Sequence, residues 1–208
     1  MNVRRAAVLD VRAVAPYYPQ LLVFVGIMSL FAATKTASTV MPVAAFFAVF
    51  TAAYPFAVAE KYDLDTLEAT LPLRRRDVLA GRYAGAVVIF VVAVTLATVV
   101  TVVNGVLRGG EGLDAASTVS AIGVSWAAFA VIEAAQLPIY VRWGYNQARL
   151  VAFVPVLLLV MVITVVVPRL PHDASPSPWW LAVLAGAGAL VLVASYALSV
   201  RIDPRRVD

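Results

Sequence analysis

The chain has 208 residues, of which 62% are hydrophobic and 13% charged, and its mean hydropathy is +0.91; soluble domains carry an apolar fraction nearer one half, so this composition specifies an integral membrane protein. A net charge of +4 would point to nucleic acid in a soluble protein, but here the basic residues flank apolar runs, where they set topology, and nucleic-acid binding is excluded. With no cysteine in the chain, disulfides, thiolate metal sites and a cysteine nucleophile are excluded as well.

In chain order, residues 1–18 predict a helix lying in the membrane interface, with Val8, Val11 and Ala15 turned to lipid. Pro16 and Pro19 then turn the chain into the first span. A signal peptide is disfavoured, because mixed residues separate Arg4 and Arg5 from the first apolar run and no small-residue cleavage site precedes Lys35. Six apolar stretches follow: Pro19 to Thr34, Thr39 to Ala59, Tyr83 to Val106, Ala116 to Tyr140, Leu150 to Val167 and Trp179 to Val200. A helix needs roughly 20 residues to cross a hydrocarbon core of about 30 Å. The first stretch is short, and Lys35 can extend it by snorkelling. The runs lack the polar alternation of a barrel strand and greatly exceed its length. The expectation is an all-α polytopic membrane protein with six transmembrane helices, its 208 residues forming a single transmembrane domain.

The basic residues orient these spans. Thirteen fall on one side: Arg4, Arg5, Arg12, Lys61, Arg74, Arg75, Arg76, Arg82, Arg142, Arg149, Arg201, Arg205 and Arg206. Lys35, Arg108 and Arg169 are the three on the other. The bias places both termini and the loop of residues 60–82 in the cytoplasm.

That loop is the most charged part of the chain, Glu60 to Asp77, running on to Arg82 and Tyr83. Asp63 or Asp65 can cap a short helix, and Asp65 with Glu68 resembles a capping box at the positive end of its dipole. Leu64, Leu67 and Leu71 share one face, and Pro72 stops the turn. The spacing predicts a short amphipathic helix, acidic on one face and leucine-lined on the other. Arg74, Arg75, Arg76 and Arg82 form a basic cluster at the membrane surface, where each gains about 1 kcal/mol from anionic lipid. Topology alone would explain the arginines, but it does not explain the leucine stripe.

The run from Glu60 through Leu71-Pro72-Leu73-Arg74-Arg75-Arg76 to Gly81-Arg82-Tyr83 resembles the cytoplasmic loop of type-2 ABC exporter permeases, the small six-span kind. Leu137-Pro138-Ile139-Tyr140 to Tyr145 after the fourth span, the ending Leu198-Ser199-Val200-Arg201 and the opening around Leu9-Asp10 are also similar to that family. The resemblance implies a transport subunit that pairs with a second permease copy or a paralogue, and with cytosolic ABC ATP-binding subunits that bind the ATP and Mg. It implies that the loop is a coupling helix, with Asp63, Leu64, Asp65, Thr66, Leu67, Glu68, Leu71 and Pro72 as the docking surface. Leu64, Leu67 and Leu71 would anchor it, and Asp65 and Glu68 would meet basic groups on the partner. The chain has no Gly-x-x-x-x-Gly-Lys-Ser/Thr phosphate loop, so the expected motor is another chain and no cofactor is expected on this one.

Glu133 falls inside the fourth span, where a charge costs a few kcal/mol, and so is a functional candidate that lines a translocation path or pairs with Gln136. A neutral carboxyl, or one that snorkels, is the ordinary alternative. Asn104, Ser117, Ser120 and Ser125 suit either a path or interhelical hydrogen bonds. Gly81, Gly85, Gly186 and Gly188 permit close helix approach, and Pro42, Pro55 and Pro155 predict kinks. Trp179 and Trp180 read as interface anchors. The one histidine, His172, lies in a loop between Pro171 and Asp173, which leaves a membrane enzyme without a paired-His zinc site or a Ser/His dyad. The competing readings are a secondary carrier or channel using Glu133, and a non-transporting sensor or immunity subunit.

Overall fold

The computed structural model describes residues 23, 26, 27, 30, 37–64, 74–107, 115–166 and 178–203, the side chains of 37, 38, 159–166 and 178 aside. Helices α1 (Ala37–Ala52), α2 (Tyr54–Lys61), α3 (Arg75–Leu107), α4 (Ala115–Trp143), α5 (Tyr145–Val166) and α6 (Pro178–Ile202) account for nearly all of them, and no strand occurs among the described residues. Among the described residues, four segments are long and apolar enough to cross a membrane: Thr39–Lys61, Arg75–Leu107, Ala115–Trp143 and Trp179–Ile202. The 22 residues of α5 overlap the fifth expected stretch but begin five residues earlier, at Tyr145. Of the first stretch only residues 23, 26, 27 and 30 are described, all with helical backbone. The expected interfacial helix of residues 1–18, and with it the full count of six spans, lies outside the described residues.

Local chemistry explains the breaks. Pro55 interrupts the helix of the second apolar stretch at Ala53, which keeps a helical φ of −76 and ψ of −19 and serves as the N-cap of α2, with the proline taking an early position in that helix. A proline there has no N–H for the preceding turn but has the φ that a starting helix wants. Ala53 keeps its carbonyl occupied by the N–H groups of Phe56 and Ala57 at 3.2 and 3.3 Å. At the other end of α2, Asp63 stands at φ +49 just past the C-cap Tyr62, the left-handed turn in which helices commonly end and which Asp tolerates. Between α4 and α5 the break is a single residue, Gly144 at φ +74. Its N–H still reaches Tyr140 O at 2.9 Å while its carbonyl accepts from Ala148 at 3.2 Å, so one helix ends where the next begins. The third span starts at Arg75 rather than at the first apolar residue, and its 33 residues extend about 50 Å at 1.5 Å each. That exceeds the hydrocarbon thickness, so the arginine-bearing turns project from it.

The bundle is organised around α4, which packs against α1, α5 and α6, while α1 also packs against α3. Two apolar cores are stacked along its axis. One joins Met41, Ala44, Ala48 and Val49 of α1 to Phe90 and Ala97 of α3 and to Phe129 and Ile132 of α4. The other gathers Phe56 of α2, Leu79 and Tyr83 of α3, Leu137 and Tyr140 of α4, and Ala148 and Ala152 of α5. The end of α2, the start of α3, the end of α4, the start of α5 and the end of α6 therefore share one end of the bundle. Arg74, Arg76, Arg142, Arg149 and Arg201 are exposed around it. The outward valines and leucines, among them Val91, Val103, Leu157, Leu190 and Val193, need no protein cover in a bilayer, since lipid is as apolar as they are.

Candidate functional site

The charged loop is rooted in the arginine-rich end, and each root is tied to a different helix. At the near root, the Glu60 carboxylate on α2 accepts the backbone N–H of Asn146 at 2.9 Å on Oε2 and the Asn146 Nδ2 at 2.9 Å on Oε1. Asn146 is the second residue of α5, so its N–H is one of the orphan donors of a helix N-terminus, and the negative charge meets the positive end of the helix dipole. Gly144 makes the approach possible: a Cβ there would stand 3.2 Å from Glu60 Oε2, in a backbone conformation that already excludes most side chains. Beside this cap, Phe56 packs on Tyr140 at 5.4 Å and Tyr140 on Tyr145 at 5.6 Å, joining α2 to the α4–α5 corner.

At the far root, Arg75 Nε donates to Asp203 Oδ2 at 2.9 Å, directly after α6, and the Asp203 side chain is only 2% exposed. Tyr196 Oη donates to the Arg76 carbonyl at 3.2 Å. Deeper in, Tyr83 Oη hydrogen-bonds with Ser195 Oγ and Ser199 Oγ, both at 2.8 Å. Ser195 Oγ donates to the Ala134 carbonyl of α4 at 2.7 Å. The start of α3 is thus fastened to the last turns of α6, and α6 to α4.

Of the docking residues named from sequence, Asp63 is exposed and Leu64 half-buried. Asp65, Thr66, Leu67, Glu68, Leu71 and Pro72 lie outside the described residues. The basic cluster divides. Arg74 and Arg76 are exposed, Arg75 is half-buried in its contact with Asp203, and Arg82 is not a surface residue at all. Arg82 is 7% exposed and lays its guanidinium 4.5 Å from the centre of the Phe56 ring. It stands two turns into a helix that enters the bundle, and the aromatic face of α2 receives the cation.

The intramembrane polar residues separate in the same way. Glu133 is 1% exposed, and its Oε1 has no hydrogen-bond partner among the described residues. It is not paired with Gln136, whose Nε2 donates to the Ala152 carbonyl of α5 at 2.7 Å and so fastens α4 to α5. Asn104 turns back on its own helix, with Nδ2 donating to the Val100 carbonyl at 2.9 Å. Ser125 is buried, its Oγ without a hydrogen-bond partner among the described residues, while Ser117 is exposed. Among the glycines, Gly188 receives Trp126, a Cβ there lying 2.5 Å from Nε1, whereas Gly85 and Gly186 face open space. Trp179 and Trp180 are 66% and 45% exposed at the far end of α6.

Sequence reasoning missed Glu60, Asn146 and Asp203 as structural partners. Gly144 between Trp143 and Tyr145, followed at once by Asn146, was the available signal of a corner whose new helix needs a cap. Among the described residues no group of three or more His, Cys, Asp or Glu could hold a metal ion. The arrangement suits mechanical work: a polar loop whose two ends grip separate helices of a lipid-facing bundle. The model of a protein family described as ABC-2 family transporter protein matches residues 10–202. No curated protein and no solved structure matches the chain.

Proposed function

Since the chain belongs to the ABC-2 family of transporter membrane proteins, a family of transport subunits that work with an ATP-binding subunit, we propose that it is the permease of an ATP-driven exporter. In this reading it is a multi-pass protein of a bacterial plasma membrane with six spans and both termini in the cytoplasm. It works as a pair with a second copy or a paralogue. Cytosolic ABC ATPase subunits bind ATP and Mg and dock on the loop of residues 60–82, with Leu64, Leu67 and Leu71 seated in the motor and Asp65 and Glu68 against its basic groups. The single observation that supports this best is the anchoring of that loop at both roots, Glu60 on Asn146 and Arg75 on Asp203. A solvated loop that only connects two spans has no need of either tie.

Nucleotide binding favours one arrangement of the motor pair, and the docked loop passes that preference to the bundle. Such a signal can shift an inward-open to outward-open equilibrium only as far as the motor's affinity differs between the two states. The ties at the roots serve that requirement by letting the loop move helices instead of flexing on its own. The basic residues left exposed at this end, Arg74 and Arg76 among them, hold it at the anionic lipid surface.

Charge reversal tests the reading. In the chain purified with its ATPase, Asp65→Lys with Glu68→Lys abolishes association, while the bundle remains folded; intact association and ATP-driven transport in that variant contradict it. Glu133, buried with its Oε1 lacking a hydrogen-bond partner among the described residues, favours one second reading, a proton- or cation-coupled carrier. Glu133→Gln separates the two, because a carrier loses transport and ion dependence with that carboxyl while a motor-driven permease retains ATP-driven turnover.

A further inference from the structure

Between Pro55 and Asp63 the chain forms a lever, and the lever has a defined load. Helix α2 is 8 residues long, roughly 12 Å at 1.5 Å per residue. It is set off from α1 by the turn at Ala53, where Pro55 contributes no N–H, and from the charged loop by the left-handed Asp63. Both ends are therefore places where backbone direction can change without breaking a regular run of hydrogen bonds. Helix α5 is likewise set off from α4 at the single residue Gly144, φ +74. The Glu60 carboxylate bridges these two hinged elements, with one oxygen on the Asn146 N–H and the other on the Asn146 side-chain amide. Across the loop, Arg75 grips Asp203 at the end of α6 instead. The loop thus holds α5 by one root and α6 by the other.

We propose that Glu60 is the positioning residue that carries movement of the loop into α5, its carboxylate acting as a detachable cap on the N-terminus of that helix. The proposal rests on the reading of the loop as the motor's docking element. A carboxylate is well suited to the task, because it accepts both donors at once and adds charge attraction to the helix end, holding under load yet leaving no covalent constraint. Gly144 is the matching half: any side chain there would press on Glu60 Oε2 at 3.2 Å and would resist the left-handed turn. Phe56, Tyr140 and Tyr145 keep the lever alongside the corner, so that the carboxylate moves with α2 and not independently of it.

The experiment uses the natural lack of cysteine. Spin labels are attached at Arg149→Cys on α5 and Arg201→Cys on α6, both exposed positions, and their separation is measured in the lipid-embedded complex with the ATP-binding subunit, with and without ATP. Nucleotide shifts the separation in the parent chain. Glu60→Ala abolishes the shift with the motor still bound, and Glu60→Gln, whose amide oxygen still accepts the Asn146 N–H, retains it in part. Asn146→Asp sets two carboxylates against each other and abolishes the shift with the motor still bound, and adding Glu60→Gln, whose amide can donate to the new carboxylate, restores it. An undiminished shift in Glu60→Ala, or loss of motor binding in that variant, overturns the proposal while leaving the docking reading intact. If the parent chain neither binds the ATPase nor responds to nucleotide, the docking reading fails and the proposal with it.

Discussion

The two halves of the bundle are held together differently. Away from the arginine-rich end, contact is mainly apolar: small residues of α1 lie against α3 and α4, and Phe90 and Phe129 pack at 4.7 Å with Trp126 alongside, whose Nε1 adds one bond to the Ala185 carbonyl of α6 at 3.2 Å. At the arginine-rich end a second apolar core is overlaid with directional bonds, namely Glu60 to Asn146, Arg75 to Asp203, Tyr83 to the two serines of α6, and Gln136 to Ala152. Packing without a hydrophobic drive can slide or open in lipid at modest cost, whereas a polar bond exposed to hydrocarbon must find another partner. If the bundle is driven from the arginine-rich end, as proposed, that end is the one built to transmit movement and the other is the one that can deform.

Substitutions in each half sharpen that contrast. The largest loss of stability is expected from Phe129→Ala, since this ring is fully buried where α3 and α4 meet; a deletion of this size costs about 3 kcal/mol, visible as a lowered unfolding midpoint in detergent. Gly188→Ala follows, because the new methyl would lie 2.5 Å from Trp126 Nε1, an overpacking worth about 2 kcal/mol in the same assay. Smaller again is Tyr83→Phe, which deletes the hydroxyl between Ser195 and Ser199 at about 1 kcal/mol for an interhelical bond in a membrane. Despite the smallest stability cost, Tyr83→Phe lowers nucleotide-driven transport by the complex more than Gly188→Ala does. The reverse order would erase the division of labour between the halves.

The amino-acid pattern made much of this legible. Run length and hydropathy located the apolar body of each described span, because crossing a bilayer sets a length that composition must obey, but not where the third and fifth helices begin, eight and five residues earlier at Arg75 and Tyr145. The helical start at Arg75 was harder to see, since arginines at a membrane surface look the same in a loop and in a helix that projects beyond it. The burial of Arg82 was illegible, as its partner Phe56 is brought by another helix and a cation over a ring leaves no trace in sequence spacing. Glu60 was hidden by its neighbours: at the head of an acidic run it looked solvated, and only the turn at Gly144 brings the α5 terminus to it. For Glu133 and Gln136 the position within a span marked both as unusual, but which of them would find a partner depended on α5 presenting the Ala152 carbonyl.

The central claim, that a separate ATPase seats on this loop from the cytoplasm, is tested most directly by thiol labelling of Thr66→Cys in the otherwise cysteine-free chain with a membrane-impermeant reagent. The account predicts no labelling in intact cells, rapid labelling in inverted vesicles stripped of the ATPase, and protection when the ATPase is added back. Labelling of intact cells, or labelling of inverted vesicles that proceeds equally fast with the ATPase present, would contradict it.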